Sequence, residues 1–474
     1  MRGTGVGAFR ETGEHFFVLR YSEMKAKLFA LVIVVIAIPV SAKPRSVPAR
    51  MDAYLDPYVR SNNFSGVVLV ERNGRAIFRK AYGLSDREQR IPNRTETRFH
   101  VASISMQFTA AAIMRLAVEG KLKLDDTVAS YIPNTPGADK VTIRDLLTQR
   151  SGLTDINSLP DYGDVMQHHQ TPATLVATIE GKPLLFEPGS KYVHEEHSAY
   201  NLLALIIEKK TQLPFAQAMQ QLVFKPLELA NSGIDDDSLA PGLESAKGYQ
   251  PEGTYGLKPA TPIHWSAKAG NASVIMTAGD QARWVAALFT GKAPNARFRS
   301  TILDTAMRVG FGWFKGTNQR FNQTAYYMNG RSPGFSSFVL YLPDGELTVV
   351  VFSNIYSSAT TKIGNDLAAI SLGLPYSSLE IREPPPTSRE LESFTGTFQF
   401  GPDFYQSNAK ITLRLSGGEL ILRWPSGDIS SLIPISGDQF IDRSYWEVIS
   451  LEPGASPNRV VRYGQFQGKA VPPD

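Results

Sequence analysis

Phe99-His100-Val101-Ala102-Ser103-Ile104-Ser105-Met106-Gln107-Phe108-Thr109-Ala110 is the stretch where the chain changes its period. From Ser103 onward, Phe108, Ala112 and Leu116 fall on one face of a 3.6-residue helix, and Gly120 stands where that helix has to end. Ser103 is thereby placed at a helix N-terminus, where the dipole and unpaired backbone N–H groups favour a negative oxygen. A serine in that place also serves as a plain helix cap, so position alone does not make it chemical.

Upstream, an amphipathic stretch over Met51 to Val59 precedes Gly66-Val67-Val68-Leu69-Val70, then Arg72-Asn73-Gly74 and Ala76-Ile77-Phe78. Asn-Gly between two β-rich runs predicts a hairpin. Downstream, residues 124 to 260 read as helices and loops, with Ile143 to Leu147, Tyr200 to Lys209 and Phe215 to Val223 each bounded by Gly or Pro. Phe335 to Leu342 and Leu347 to Phe352 flank Pro343-Asp344-Gly345 as a second hairpin, and Lys362 to Leu372 predicts a closing helix. Strands at both ends of this region with a helical insert between them predict an α+β fold, an antiparallel sheet flanked by helices, over residues 43 to 380. Pro384-Pro385-Pro386 predicts a semi-rigid linker over residues 381 to 387. Beyond it Ile411, Leu413 and Leu415 alternate with polar residues, Gly417-Gly418 turns and Leu420-Ile421-Leu422 returns, predicting a small all-β barrel or sandwich over residues 388 to 474. A chain of 474 residues exceeds what one core usually organises, in keeping with this division.

Further strings follow the Ser103 block in order: Ile143-Arg144-Asp145-Leu146-Leu147-Thr148-Gln149-Arg150-Ser151-Gly152-Leu153, Pro188-Gly189, Tyr200-Asn201-Leu202-Leu203, Phe311-Gly312-Trp313 and Pro333-Gly334-Phe335-Ser336-Ser337. Together they cover roughly residues 50 to 375, and their order resembles the serine β-lactamase-related, penicillin-binding-protein-like family, the group of class C β-lactamases, esterases and D-aminopeptidase-like enzymes. The terminal β unit resembles the lipocalin-like domain carried by many such proteins. The resemblance implies a β-lactamase/transpeptidase-like fold and acyl transfer with Ser103 as nucleophile. That chemistry asks for a base one helical turn on, a polar motif from the helical insert and an oxyanion hole.

All three motifs depart from the family pattern. Where S-x-x-K has its lysine this chain has Met106, whose thioether takes no proton at neutral pH. Losing a general base removes roughly 10²–10⁴-fold of rate. Where the family has Y-x-N, counting back from Tyr200 gives Glu195-Glu196-His197, whereas counting forward from Pro188-Gly189 gives His194-Glu195-Glu196. His194, Glu195 and His197 are therefore alternative bases, against a reading in which an acidic first turn complements a helix dipole beside solvated histidines. Where the family has K-x-G or H-x-G, Met328-Asn329-Gly330 keeps the glycine and loses the cation. The backbone N–H groups of Ser103 and Arg331, beside Asn329 and Gly330, are the expected oxyanion donors. The Arg331 side chain reads as a plain surface arginine in preference to a charge supplied to the cleft.

His194 and His197 are spaced i, i+3, yet the string is not H-E-x-x-H and no third ligand is identifiable, with His168-His169 and His264 far off in sequence, so no metal is assigned. No cofactor is expected. Cysteine is absent, which excludes a disulfide, a thiolate site and a lipobox. The net charge is +4, and residues 1 to 42 hold five Lys/Arg and three Asp/Glu, which leaves +2 without them. That is too weak a field for nucleic acid, and no polybasic stripe suggests a membrane surface. Met24-Lys25-Ala26-Lys27, the apolar run Leu28 to Val40 and Val40-Ser41-Ala42 predict a signal peptide over residues 24 to 42, cleaved after Ala42, with residues 1 to 23 a misread upstream start. A periplasmic or secreted protein with no stable membrane span after cleavage is expected, with a small-molecule or peptide partner; nothing in the sequence speaks to oligomeric state. The function expected is an exported serine hydrolase-like protein acting on an ester, amide or peptide through Ser103 with a non-standard base. The alternative is a catalytically inactive relative that holds a peptide, a peptidoglycan fragment or a protein partner in the inherited cleft.

Overall fold

A computed structural model describes residues 46–193, 196–236, 245–291, 296–304, 308–452 and 459–472. The expected signal peptide, the extension before it, His194 and Glu195 lie outside the described residues. Residues 45–474 form one compact unit.

After α1 (Val47–Arg60), the first hairpin joins β1 (Gly66–Arg72) to β2 (Arg75–Tyr82). Asn73 and Gly74 take left-handed φ of 51° and 69°, the geometry with which a two-residue turn matches strand twist. The Ser103 block leads into α2 (Ser105–Val118), and the helical insert contributes α3 (His197–Thr211). The chain returns to the sheet as β3 (Val309–Gly310), β4 (Trp313–Asn318), β5 (Gln323–Ser332), β6 (Phe335–Leu342) and β7 (Leu347–Ser353), then closes with α4 (Ala359–Leu372). The seven strands run in the order β3-β4-β5-β6-β7-β1-β2, all antiparallel, which is the α+β arrangement expected from the sequence.

Central strands read as unbroken apolar runs because both sheet faces are covered, and alternation survives only in which core each side chain joins. Val68, Val70, Val349 and Val351 pack with residues of α1 and α4, such as Tyr54 and Ile363. Val67, Leu69, Val350 and Phe352 pack with α2 and the insert. α2 is buried nearly all round, from Ser105 through Met114, so it is the central post of the insert and not a surface helix.

The terminal unit resolves the choice between barrel and sandwich: eight antiparallel strands between Gly396 and Val471 close on themselves. Its interior is filled by Phe398, Ile411, Leu413, Leu422, Ile449 and Val461, which makes it a packed core. It is docked and not held at a distance by the proline linker. Ile433, Ile441 and Trp446 turn outward and join the core of α1 and α4, with Trp446 5.5 Å from Tyr58 between ring centroids. Arg443 is fully buried in that junction. It donates to Asn63 Oδ1 at 2.9 Å and to the carbonyls of Gly253, Gly256 and Asn62 at 2.6, 3.0 and 3.0 Å. Four acceptors around one guanidinium offset its desolvation and lock the two parts together.

Candidate active site

Ser103 sits in a single 3-10 turn, Ala102–Ile104, immediately before α2, so the α-helix begins two residues after Ser103, where the periodicity placed its start. Ala102 has φ of 49°, a left-handed conformation that costs a non-glycine residue about 1 kcal/mol or more. Such an outlier persists where surrounding structure enforces it. Here the enforcement comes from both sides. Val101 donates its N–H to Val274 O at 3.0 Å, and its carbonyl accepts from Ser337 Oγ at 2.7 Å. Ser105 Oγ accepts from Val274 N at 3.0 Å.

Strand β5 supplies the facing edge. Its pairing with β4 ends at Phe314–Tyr327, so among the described residues Met328 to Ser332 have no strand paired to them on that side, and they line the cleft with Ser103. Gly330 is indispensable there: a Cβ would fall 2.7 Å from Val101 O and 2.8 Å from Ser103 N. Gly312 meets a similar demand, with a φ of 76° and a Cβ position 2.5 Å from Gln107 N. Of the two, Gly330 governs the reacting region, because it lets β5 approach the serine backbone.

These edges bound a cleft of ≈ 820 Å³ that contains Ser103, Met106, Asn329, Gly330 and Arg331. Ser103 is half-buried, and its hydroxyl has no hydrogen-bond partner among the described residues. Met106 is buried, with its Sδ accepting from Gln149 Nε2 at 3.6 Å. The helical insert brings His197, Asn157 and Tyr162 to the cleft, and the segment that follows it brings Lys268 and Asn271. The barrel adds Tyr405, Asp428 and Tyr445, so the cleft is shared between the two parts of the protein.

His197 opens α3 and faces the cleft, and its Nδ1 pairs with Asp155 Oδ2 at 2.9 Å. The Asp155 carboxylate also accepts from the His197 backbone N–H at 3.1 Å, and Asn157 Nδ2 lies 2.9 Å from His197 Nδ1. Burial pushes the Asp155 carboxyl up, but the His197 contacts and the N–H groups of His197 and Asn157 outweigh that and leave it lowered. The histidine is held and not solvated. Glu196 is fully turned away: its carboxylate accepts from Ser151 N and Ser151 Oγ at 3.0 Å each and from Gly152 N at 3.1 Å. Burial raises its pKa despite those bonds. It is a buried strut held by Ser151 and Gly152.

The Arg331 side chain also departs from the sequence expectation. It is no plain surface arginine: it lies 4.5 Å from the Tyr356 ring and 4.3 Å from the Tyr445 ring, and donates to Ser444 O at 2.6 Å. It fastens the barrel beside the cleft. His100, in the opening block, is likewise structural. Its ring stacks on Trp265 at 3.6 Å and its Nε2 pairs with Asp235 Oδ2 at 2.7 Å.

Lys268 was not singled out by sequence. It is 7% exposed and sits 4.8 Å from the Tyr162 ring centroid. Burial lowers its pKa to about 8 against the charge of Asp155, which acts to raise it. The only signal in the sequence is one lysine set among small residues, Ala267-Lys268-Ala269-Gly270. Among the described residues no group of three or more His, Cys, Asp or Glu could hold a metal ion, and no helix is long and apolar enough to cross a membrane.

Comparison with known proteins bears on the fold and the chemistry together. The family described as "Beta-lactamase" matches residues 51–373. "Putative penicillin-binding protein PbpX" of Bacillus subtilis (strain 168) is 28% identical over 304 residues, 64% of this chain and 73% of that protein. Among solved structures, the octameric penicillin-binding protein homologue from Pyrococcus abyssi superposes with a TM-score of 0.62 at 20% identity, over 88% of this chain and 99% of its own. EstCE1, a hydrolase with promiscuous acyltransferase activity, gives a TM-score of 0.56 at 25% identity, over 65% of this chain and 93% of its own.

Proposed function

The chain belongs to the Beta-lactamase family of serine hydrolases, and we propose that within it this protein transfers the acyl group of an ester, amide or peptide through Ser103, with a base that is not at position 106. The observation that carries the reading is the close approach at Gly330. It sets the β5 edge against the Ser103 backbone N–H beside a serine hydroxyl with no other partner among the described residues.

In this reading Ser103 Oγ attacks the substrate carbonyl. The N–H groups of Ser103 and Arg331 receive the oxygen as it becomes negative, with Asn329 and Gly330 forming the strand edge along which the substrate lies. Support for the Arg331 N–H is the free edge of β5 over Met328 to Ser332. His197, fixed by Asp155 and Asn157, stands in the third place of the polar motif counted back from Tyr200, so the second polar group of the cleft is an imidazole where the family has a carboxamide. Met106 and Met328 leave both family cation positions apolar, which sets this protein apart from an efficient β-lactam hydrolase. Export with cleavage after Ala42, to the periplasm or the medium, belongs to the same proposal and rests on Met24 to Ala42 alone.

The test is turnover of a panel holding p-nitrophenyl esters, D-amino-acid p-nitroanilides and a chromogenic β-lactam. Ester or anilide hydrolysis lost in Ser103→Ala is the expected outcome. Tight ligand binding without turnover, unchanged in Ser103→Ala, would establish a binding protein in an inherited cleft instead.

A further inference from the structure

We propose that Lys268 is the group that takes the proton from Ser103 during acyl transfer, standing in for the lysine that position 106 lacks. The proposal rests on the serine acyl-transfer reading above and names its missing base.

Lys268, Ser103 and Met106 line the same cleft. The residue is 7% exposed, yet its ammonium has no hydrogen-bond or ion-pair partner among the described residues. Taking an ammonium out of water costs several kcal/mol unless acceptors surround it. The Tyr162 ring at 4.8 Å recovers only part of that. Arg443 shows how this protein treats a buried cation whose role is purely structural, surrounding it with four acceptors. Lys268 receives none among the described residues, so its burial is not explained by packing. Three residues on, Asn271 is fully buried in the same wall, and neither its Oδ1 nor its Nδ2 has a partner among the described residues. An unpartnered amine and an unpartnered carboxamide on one wall are what a site receiving a polar ligand or a bridging water requires.

The groups facing Lys268 set its behaviour. Asp155 favours the charged form through its field, His197 is paired to Asp155 at 2.9 Å, and Tyr162 is held above its ordinary pKa by burial and stays neutral. Desolvation nonetheless brings Lys268 to about 8, so a large fraction is free amine at pH 8, where an ordinary lysine is under about 1% deprotonated. His197 is the rival base, but with its Nδ1–H given to Asp155 the amide of Asn157, whose Nδ2 lies 3.3 Å from Nε2, takes up its remaining lone pair. Lys268 is uncommitted.

The step balances. The neutral amine accepts the Ser103 hydroxyl proton, directly or through one water, as Oγ bonds to the acyl carbon and the carbonyl π pair moves onto oxygen. When the carbonyl re-forms, the bond to the leaving group breaks and the Lys268 ammonium returns the proton to it. In deacylation the amine takes a proton from water while the water oxygen bonds to the acyl carbon. Ser103 Oγ then departs and recovers that proton.

The experiment follows Ser103-dependent hydrolysis of a p-nitrophenyl ester by the full chain from pH 6 to 10, with Lys268→Met and Lys268→Arg checked for native circular dichroism. Lys268→Met removes a buried charge and keeps the side-chain length, so it serves as the folding-safe variant, while Lys268→Arg keeps the charge without a usable base. Expected are a rise in the native rate with a midpoint about 8, and a loss of roughly 10²–10⁴-fold with disappearance of that limb in both variants. A Lys268→Arg enzyme that keeps the native rate and the native limb would overturn this proposal and leave the Ser103 reading standing. No Ser103-dependent reaction at any pH would overturn both.

Discussion

Gln149 Nε2 donates to Met106 Sδ at 3.6 Å, so the position one helical turn beyond Ser103 is occupied by a buried thioether already matched to its neighbour. The cleft is thus adapted to a methionine, and the environment around it is not simply vacant of a lysine.

Restoring lysine there has two opposite consequences. Met106→Lys buries an ammonium beside Gln149, which predicts a loss of about 2–4 kcal/mol of stability. The same amine stands one turn from Ser103 and predicts faster esterolysis at neutral pH, by about tenfold or more. Thermal unfolding and initial rates measured on one preparation check both; a stable but slower variant would contradict this account of the cleft.

The Asp155–His197 pair predicts a signed pH dependence. The Asp155 carboxyl is lowered in the folded protein, so its contribution is present above the ordinary 3.8 and is lost as pH falls through the lowered value. Asp155→Asn is expected to cost about 1–2 kcal/mol at pH 7 and much less at pH 3, as read from urea midpoints. Removing that charge also withdraws support from the Lys268 ammonium, so the alkaline limb of the rate moves to lower pH. A stability gap equal at both pH values would contradict the assignment.

The barrel is predicted to be inseparable from the catalytic region. Arg331→Ala removes the bond to Ser444 O and two ring contacts, an expected cost of about 2–3 kcal/mol with a looser cleft wall. Arg443→Met strands four acceptors and is expected to cost about 3–5 kcal/mol. Deleting residues 388 to 474 uncovers the faces of Tyr58 and α4 that Ile433, Ile441 and Trp446 cover, so aggregation is expected. A soluble, folded truncation with native ester turnover would show that the barrel is dispensable.

Much of this was readable from local sequence. Asn73-Gly74 specified its hairpin because two left-handed residues leave few alternatives, and the Ser103 block announced its helix by periodicity. What sequence does not carry is the company that distant segments keep. Arg331 reads as a surface residue because Tyr356 is far along the chain and Tyr445 and Ser444 belong to the barrel. Lys268 is invisible because its significance is the lack of a partner among the described residues, which only the folded wall reveals. The two ways of counting left either His197 or Glu196 in the third place of the polar motif. The helix start at His197 separates them, sending one side chain to Ser151 and Gly152 and the other to the cleft.

Export is checked independently of chemistry. Expression from Met24 in a bacterial host with N-terminal analysis of the extracytoplasmic fraction is expected to give a mature chain beginning at Lys43. Retention of Met24 in a cytoplasmic product would contradict it.

The central claim is that Ser103 is a nucleophile, and intact-mass analysis after treatment with a fluorophosphonate at pH 8 tests it most directly. One adduct per chain is predicted, mapped to Ser103 by peptide sequencing and absent from Ser103→Ala. An unmodified chain, or an adduct that persists in Ser103→Ala, would contradict the account.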